Sequence, residues 1–75
     1  MKNRIKDLMA GILKVDISVL GDDLEIGDIQ EWDSMHHVMI ITGIEKEFGI
    51  KFQREELIDL ETVADIVTLV EGKMA

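Results

Sequence analysis

The tetrapeptide Trp32-Asp33-Ser34-Met35 contains the hydroxyl group in this sequence that is best suited to covalent chemistry. It lies where an acidic segment meets the first residues of an apolar helix. A helix N-terminus has unpaired backbone N–H groups and the positive end of the helix dipole, and both favour a phosphate. We therefore expect Ser34 to accept a phosphate-bearing group. Asp33 can cap the helix or offer an acidic contact or metal bridge to a modifying enzyme, and Met35 is expected to turn inward and anchor the turn.

A simpler interpretation of the same residues stays open. Serine and aspartate are among the preferred N-cap residues, so Asp33-Ser34-Met35 alone also fits an unmodified helix start. The position of Ser34 in the chain favours covalent modification over a simple cap, because Ser34 begins the second helix of a small acidic chain and follows a long acidic loop.

The spacing of apolar residues predicts the two helices that flank this loop. Residues 2–14 have apolar side chains at helical spacing and basic residues on the polar side. The second helix begins at Ser34 or just before it and ends at Phe48, where Gly49 supplies a C-terminal cap. Its core-facing stripe is predicted to comprise Met35, Val38, Ile41 or Thr42, Ile44 or Glu45, and Phe48, with Met39 and Ile40 off that stripe.

The rest of the chain completes a small helical bundle. Residues 54–60 allow a short helix, and Thr62 caps a last helix that ends at Gly72. Residues 16–33 read as a long acidic loop, pinned to the core through Ile17, Leu20, Leu24 and Ile29. The predicted fold is all-α: a small four-helix bundle of three main helices plus one short helix, with residues 1–75 forming a single domain.

Charge and composition restrict the function classes. The chain has 75 residues and a net charge of −8, and no basic residue lies between Asp16 and Asp33. Nucleic acid is not an expected partner, because phosphate backbones require a basic surface, whereas basic patches on proteins are a natural complement. No apolar run approaches the ~20 residues of a membrane helix. The absence of cysteine excludes disulfides and thiolate metal sites and fits a cytoplasmic location.

Neither a metal site nor catalysis is expected. The acidic loop lacks the Asp-x-Asp-x-Asp-Gly order and the terminal glutamate of a calcium loop. No combination of acid, base and nucleophile is evident, so the chain is not expected to be an enzyme.

Two blocks of residues resemble the acyl carrier protein family, which includes peptidyl and D-alanyl carriers, and the resemblance covers essentially the whole chain. The blocks are Asp33-Ser34-Met35, followed by Val38, and Ile44-Glu45-Lys46-Glu47-Phe48-Gly49-Ile50. The resemblance implies that Ser34 carries 4′-phosphopantetheine, added from coenzyme A by a phosphopantetheinyl transferase with magnesium. The terminal thiol would hold an acyl or aminoacyl group as a thioester, loaded by a ligase or transferase and delivered to downstream biosynthetic enzymes. The carrier, expected to be a monomer, would itself catalyse nothing.

The second helix departs from the pattern of fatty-acid carriers, which resemble one another in having acids just after the serine and midway along this helix. Here His36 and His37 follow Met35, and Met39 replaces the usual glutamate. The tryptophan before the aspartate, Trp32, resembles the pattern of carriers that serve adenylating ligases or dedicated pathways more than that of the housekeeping fatty-acid carrier. We therefore expect a free-standing carrier of a specialised pathway; the alternatives are a housekeeping fatty-acid carrier and an unmodified acidic helical interaction module. The candidate partner-contacting residues are Trp32, His36, His37, Met39, Ile40, Glu45 and Glu47.

One further departure bears on the cargo. Thr42 and Gly43 replace residues that line the fatty-acyl cavity in the family, and this favours a short or polar acyl group. Gly43 is also expected to allow close packing of the second helix on its neighbour.

Overall fold

The computed structural model describes residues 2–74, and over this range it contains four α-helices and no strand beyond an isolated bridge between Glu25 and Thr62. The all-α bundle with three main helices and a short one is therefore confirmed. The helices are α1 (Lys2–Leu13), α2 (Ser34–Phe48), α3 (Arg54–Ile58) and α4 (Val63–Met74), and a single 3-10 turn spans Ile17–Val19. None of the helices in the described range is long and apolar enough to cross a membrane.

Most helix ends lie close to the predicted positions. Lys14 adopts a left-handed conformation with φ of 59°, so α1 ends at Leu13. Gly49 takes the same conformation with φ of 66° and ends α2, as predicted. The Thr62 hydroxyl accepts a hydrogen bond from the Asp65 N–H at 3.1 Å, which confirms the cap of α4.

Two predicted helix ends are wrong. The short helix α3 ends at Ile58 rather than at residue 60. Helix α4 continues past Gly72 to Met74, because an interior glycine costs only ~1 kcal/mol and does not by itself end a helix.

Helix α2 packs on α1 at a point where only glycine fits without adjustment. A Cβ atom added to Gly43 would lie 3.1 Å from the Ile12 Cδ1 atom, closer than ordinary van der Waals contact. On either side of Gly43, Ile40 and Ile44 are fully buried, and Ile41 is also buried. The close approach expected at Gly43 is confirmed.

The predicted core-facing stripe of α2 is confirmed at Ile41, Ile44 and Phe48 but is wrong in the first turns of the helix. Met35 and Val38, assigned to the core, are 72% and 63% exposed, whereas Ile40, placed off the stripe, is fully buried. The helix is apolar on both sides, and α1 covers the side on which Gly43 permits close contact. Burial follows that contact rather than the count of apolar residues.

The acidic loop is held against the start of α4 by backbone hydrogen bonds. Val63 N–H donates to Leu24 O at 3.0 Å, and Ile26 N–H donates to Glu61 O at 3.2 Å. Leu20 is buried, and Leu24 and Ile29 are half-buried against the core, as predicted. Ile17 is 39% exposed, so its predicted anchoring role is wrong: the 3-10 turn leaves it outside and brings Leu20 inward.

Candidate site at the start of helix α2

Ser34 is the first residue of α2, and its side chain is exposed. The N-cap is Asp33, whose Oδ1 atom accepts a hydrogen bond from the His36 backbone N–H at 2.9 Å. The cap predicted for Asp33 is therefore confirmed. The alternative in which Ser34 serves as the cap is wrong, because Asp33 occupies that position and leaves the serine hydroxyl free for other chemistry.

Asp33 stays negatively charged beside this hydroxyl. Its Oδ1 atom also lies 2.8 Å from the His36 Nδ1 atom. The backbone N–H of His36, followed by its ring, holds the pKa of Asp33 below the usual range. An ionised carboxylate next to Ser34 suits the metal bridge or acidic contact expected of this residue.

Trp32 belongs to the core and not to a partner-binding surface. It is the largest fully buried side chain, and its Nε1–H donates to the His37 Nδ1 atom at 3.3 Å. Its assignment to partner contacts is corrected, because a side chain with no exposed surface cannot touch a partner in this conformation. The same correction applies to Ile40, which is fully buried against the rest of the core.

His36 and His37 are both half-buried and point to different neighbours. His36 contacts the Asp33 carboxylate, whereas His37 contacts the buried indole of Trp32. Burial lowers the pKa of the His37 imidazole, so this ring is neutral near neutral pH.

An exposed apolar surface lies on the outer side of α2, within the turns that follow Ser34. It comprises Met35, Val38 and Met39, and Met39 is the only one of them predicted to contact partners. Met35 does not turn inward as expected, because Ile40, Ile41 and Ile44 already fill the core-facing side. The sequence signal for this surface was that α2 has more apolar residues than one face can bury.

The two acidic residues of α2, Glu45 and Glu47, have different roles. Glu45 is half-buried, and its Oε2 atom accepts a hydrogen bond from the Phe52 N–H at 2.9 Å, so it holds the segment between α2 and α3. Glu47 is exposed and lies 3.2 Å from Arg4 of α1. Of the two, Glu47 is the more available to a partner.

A groove of about 430 Å³ lies between α2 and α3. Its lining is mainly apolar and comprises His37, Val38, Ile41, Thr42, Glu45 and Leu57. Thr42, Glu45 and His37 place polar groups along it. The short or polar cargo expected from the sequence stays a prediction.

The residues at the start of α2 fit a covalently attached phosphodiester. The Ser34 hydroxyl is exposed, and the N–H groups of Ser34 and Met35 precede the first intrahelical hydrogen bond, from His37 N–H to Asp33 O at 2.9 Å. Unpaired N–H groups and the helix dipole favour a negative group at that position. Across residues 2–74, no group of three or more acidic or histidine side chains could hold a metal ion.

Comparisons with known proteins agree with this chemistry. A family model described as the phosphopantetheine attachment site matches residues 3–70. The chain is similar to an acyl carrier protein from Thermotoga maritima, at 31% identity over 72 residues, which cover 96% of this chain and 89% of the relative. It is also similar to polyketide-8 synthase acyl carrier protein 2 from Streptomyces avermitilis, at 25% identity over 73 residues, 97% of this chain and 84% of the relative.

A solved structure supports the same assignment. The solution NMR structure of a holo acyl carrier protein from Geobacter metallireducens matches with a TM-score of 0.87 and 30% identity, covering 97% of this chain and 84% of that one. Proteins of this family are carriers and not catalysts, and they work with a phosphopantetheinyl transferase and with biosynthetic enzymes. The chain thus belongs to the phosphopantetheine-binding acyl carrier protein family, with 4′-phosphopantetheine as its covalently attached group.

Proposed function

We propose that Ser34 is the residue that bears the 4′-phosphopantetheine arm. The observation that supports this most is that Asp33, and not Ser34, caps α2. The Ser34 hydroxyl therefore stays exposed. The other serine of the chain, Ser18, lies in a single 3-10 turn, so it does not open an α-helix. Ser34 is therefore the serine whose surroundings favour an attached phosphate.

Each residue of Asp33-Ser34-Met35 has a separate role in this proposal. Ser34 supplies the oxygen to which the arm is attached, and the first-turn N–H groups of α2 stabilise the negative phosphodiester. The Asp33 carboxylate is available to the magnesium ion of the transferase. Met35 offers an apolar contact to enzymes that handle the arm, since its side chain is 72% exposed. When bound, the arm supplies the thiol that holds the cargo as a thioester.

Mass spectrometry of the intact protein tests the attachment residue. Incubation with coenzyme A, magnesium and a broad-specificity phosphopantetheinyl transferase is expected to add one phosphopantetheine to the wild type. Ser34→Ala is expected to abolish the addition, and the matched control Ser18→Ala is expected to leave it unchanged. An unmodified wild type, or equal modification of Ser34→Ala, would refute the proposal.

We further propose that this carrier serves a specialised biosynthetic pathway, with its site of action in the cytoplasm. The outer side of α2 supports this, because it offers the exposed apolar residues Met35, Val38 and Met39. The polar residues exposed further along the same helix are Thr42 and the basic Lys46, and its one exposed acid, Glu47, pairs with Arg4 of α1. Charge complementarity sets encounter rates between proteins, so enzymes that dock on acidic carriers would find few contacts here.

Fatty-acid elongation distinguishes this proposal from a housekeeping role. The modified wild type is expected to be a poor substrate for malonyl loading and elongation by housekeeping enzymes. The double variant His36→Asp with Met39→Glu is expected to improve it, since each exposed charge contact is worth ~0.2–1 kcal/mol. A control that adds the same charge on other helices, Asn3→Asp with Thr68→Glu, is expected to have no such effect. Wild-type elongation as fast as that of a housekeeping carrier would refute the specialised role.

A further inference from the structure

Two adjacent histidines in the first turn of α2 hold the two residues that precede Ser34. His36 binds Asp33 through its backbone N–H at 2.9 Å and through its Nδ1 atom at 2.8 Å. His37 binds Trp32, since its Nδ1 atom accepts the indole N–H at 3.3 Å. The side chains of both residues before Ser34 are thus tied to the helix that Ser34 begins.

The two histidine contacts have opposite proton requirements. A carboxylate accepts hydrogen bonds only, so the Nδ1 atom of His36 must carry a proton to bind Asp33. An indole N–H donates only, so the Nδ1 atom of His37 must carry no proton to bind Trp32. His37 must therefore be neutral, with its proton on Nε2, whereas His36 keeps its contact when it is protonated.

The Trp32 contact joins a closed turn of the loop to α2. The Trp32 backbone N–H donates to Ile29 O at 3.2 Å, and the Trp32 carbonyl accepts the Gly27 N–H at 2.8 Å. These bonds close residues 27–32 on themselves, and the indole hydrogen bond then connects that turn to His37. Because the indole is fully buried, loss of its acceptor would leave a buried donor unpaired, which is unfavourable.

The surroundings of His37 favour the neutral form that this contact needs. On the loop it faces Trp32, with Asp33 next in the chain, but the carboxylate of Asp33 is engaged by His36. On α2 it is adjacent to His36 and shares the groove with Glu45, and from α3 the groove is lined by the uncharged Leu57. Burial lowers the pKa of His37, and this favours the neutral imidazole.

We propose that His37 is a positioning residue for the modification of Ser34: by accepting the indole N–H of Trp32, it fixes the turn of residues 27–32 on α2 and so sets the orientation in which Ser34 and Asp33 meet the transferase. This role rests on the proposed attachment at Ser34. His37 does not touch the reacting oxygen; it acts through Trp32.

The single tryptophan of the chain gives a direct readout. In an NMR pH titration of the unmodified wild type, the indole N–H resonance is expected to shift with the titration of an imidazole. In His37→Asn, which offers a carbonyl oxygen near the place of Nδ1, the same resonance is expected to be insensitive to pH over that range. If the chemical shift of the wild-type indole N–H does not change over the pH range in which the imidazole titrates, the proposal is overturned.

Modification rates then test the positioning role. At neutral pH, His37→Leu is expected to lower kcat/KM for transfer to Ser34 by about two- to tenfold, the range that one hydrogen bond is worth. His37→Asn is expected to restore most of the rate. The wild-type rate divided by the His37→Asn rate is expected to fall as the pH is lowered, and the titration of the transferase itself cancels in this ratio. Trp32→Phe keeps an aromatic ring but removes the indole donor. In a protein that carries Trp32→Phe, the further substitution His37→Leu is expected to leave the modification rate unchanged.

The outcomes separate the two proposals. If the wild type and His37→Leu are modified equally fast at all pH values, the role of His37 is overturned while the attachment at Ser34 stands. If the wild type gains no arm at all, the proposed function fails and the role of His37 fails with it.

Discussion

The two sides of α2 differ sharply although both are apolar. The inner side packs on α1, with Ile40 and Ile44 fully buried and Gly43 allowing the Ile12 side chain to approach closely. The outer side leaves Met35 and Val38 mostly exposed in the turns after Ser34. The inner residues stabilise the fold, and the outer residues are free for partners. Hydrophobicity alone therefore does not say which side of such a helix forms the core.

The largest expected difference between the two sides is in stability. Ile44→Ala should lower the free energy of unfolding by about 2–5 kcal/mol, because it removes a fully buried side chain. Val38→Ala should change it by less than ~0.5 kcal/mol, since its side chain is 63% exposed. Urea unfolding followed by circular dichroism measures both. Equal losses in the two variants would show that the sides are assigned wrongly.

A second difference of the same kind separates the two acids near the end of α2. Glu45→Ala should cost about 1–2 kcal/mol, since it removes the carboxylate that accepts the Phe52 N–H in a half-buried position. Glu47→Ala should cost ~0–1 kcal/mol, because its contact with Arg4 is an exposed ion pair. Glu45→Gln keeps an acceptor and should recover part of the loss. Thermal unfolding of the three variants checks this order, and a costlier Glu47→Ala would reverse the assigned roles.

The helix ends of α2 were predictable because their signals are local. Asp33 has the side chain of an N-cap, and Gly49 can adopt the left-handed conformation that ends a helix. The attachment motif was equally visible, because Asp33, Ser34 and Met35 are consecutive in the sequence.

The side of α2 that faces the core was predicted only in part: Ile44 is buried as expected, but Met35 was wrongly placed in the core and Ile40 outside it. It depends on which neighbour covers the helix, and only the contact between Gly43 and α1 decides that. Trp32 illustrates the same limit. Its type suggested a partner contact, but the turn closed by its own backbone directs the indole into the core.

The smallest expected effect is a pH dependence of the free energy of unfolding. It arises at His37, which lies where the two sides of α2 meet. Burial favours its neutral form, so the folded state binds fewer protons than the unfolded state as the pH falls through the usual histidine range. Stability should therefore decrease from about pH 6.5 downward, until the lowered pKa of the folded state is passed. The lowered pKa values of Asp22, Asp33 and Glu56 add their losses only at more acidic pH.

Urea unfolding at pH 7.5 and pH 5.5 isolates the contribution of His37. The wild type should lose more stability between these two conditions than His37→Asn, because only the wild type contains the buried imidazole. The same loss in both would mean that His37 is not responsible.

The central claim, that the arm is attached to Ser34, is tested most directly by locating the added mass within the chain. After reaction of the wild type with coenzyme A and the transferase, fragment-ion mass spectrometry of the peptide that spans the start of α2 assigns the mass to a residue. We predict that all of the added phosphopantetheine is on Ser34 and none is on Ser18 or on any threonine. Addition at any residue other than Ser34 would contradict the claim.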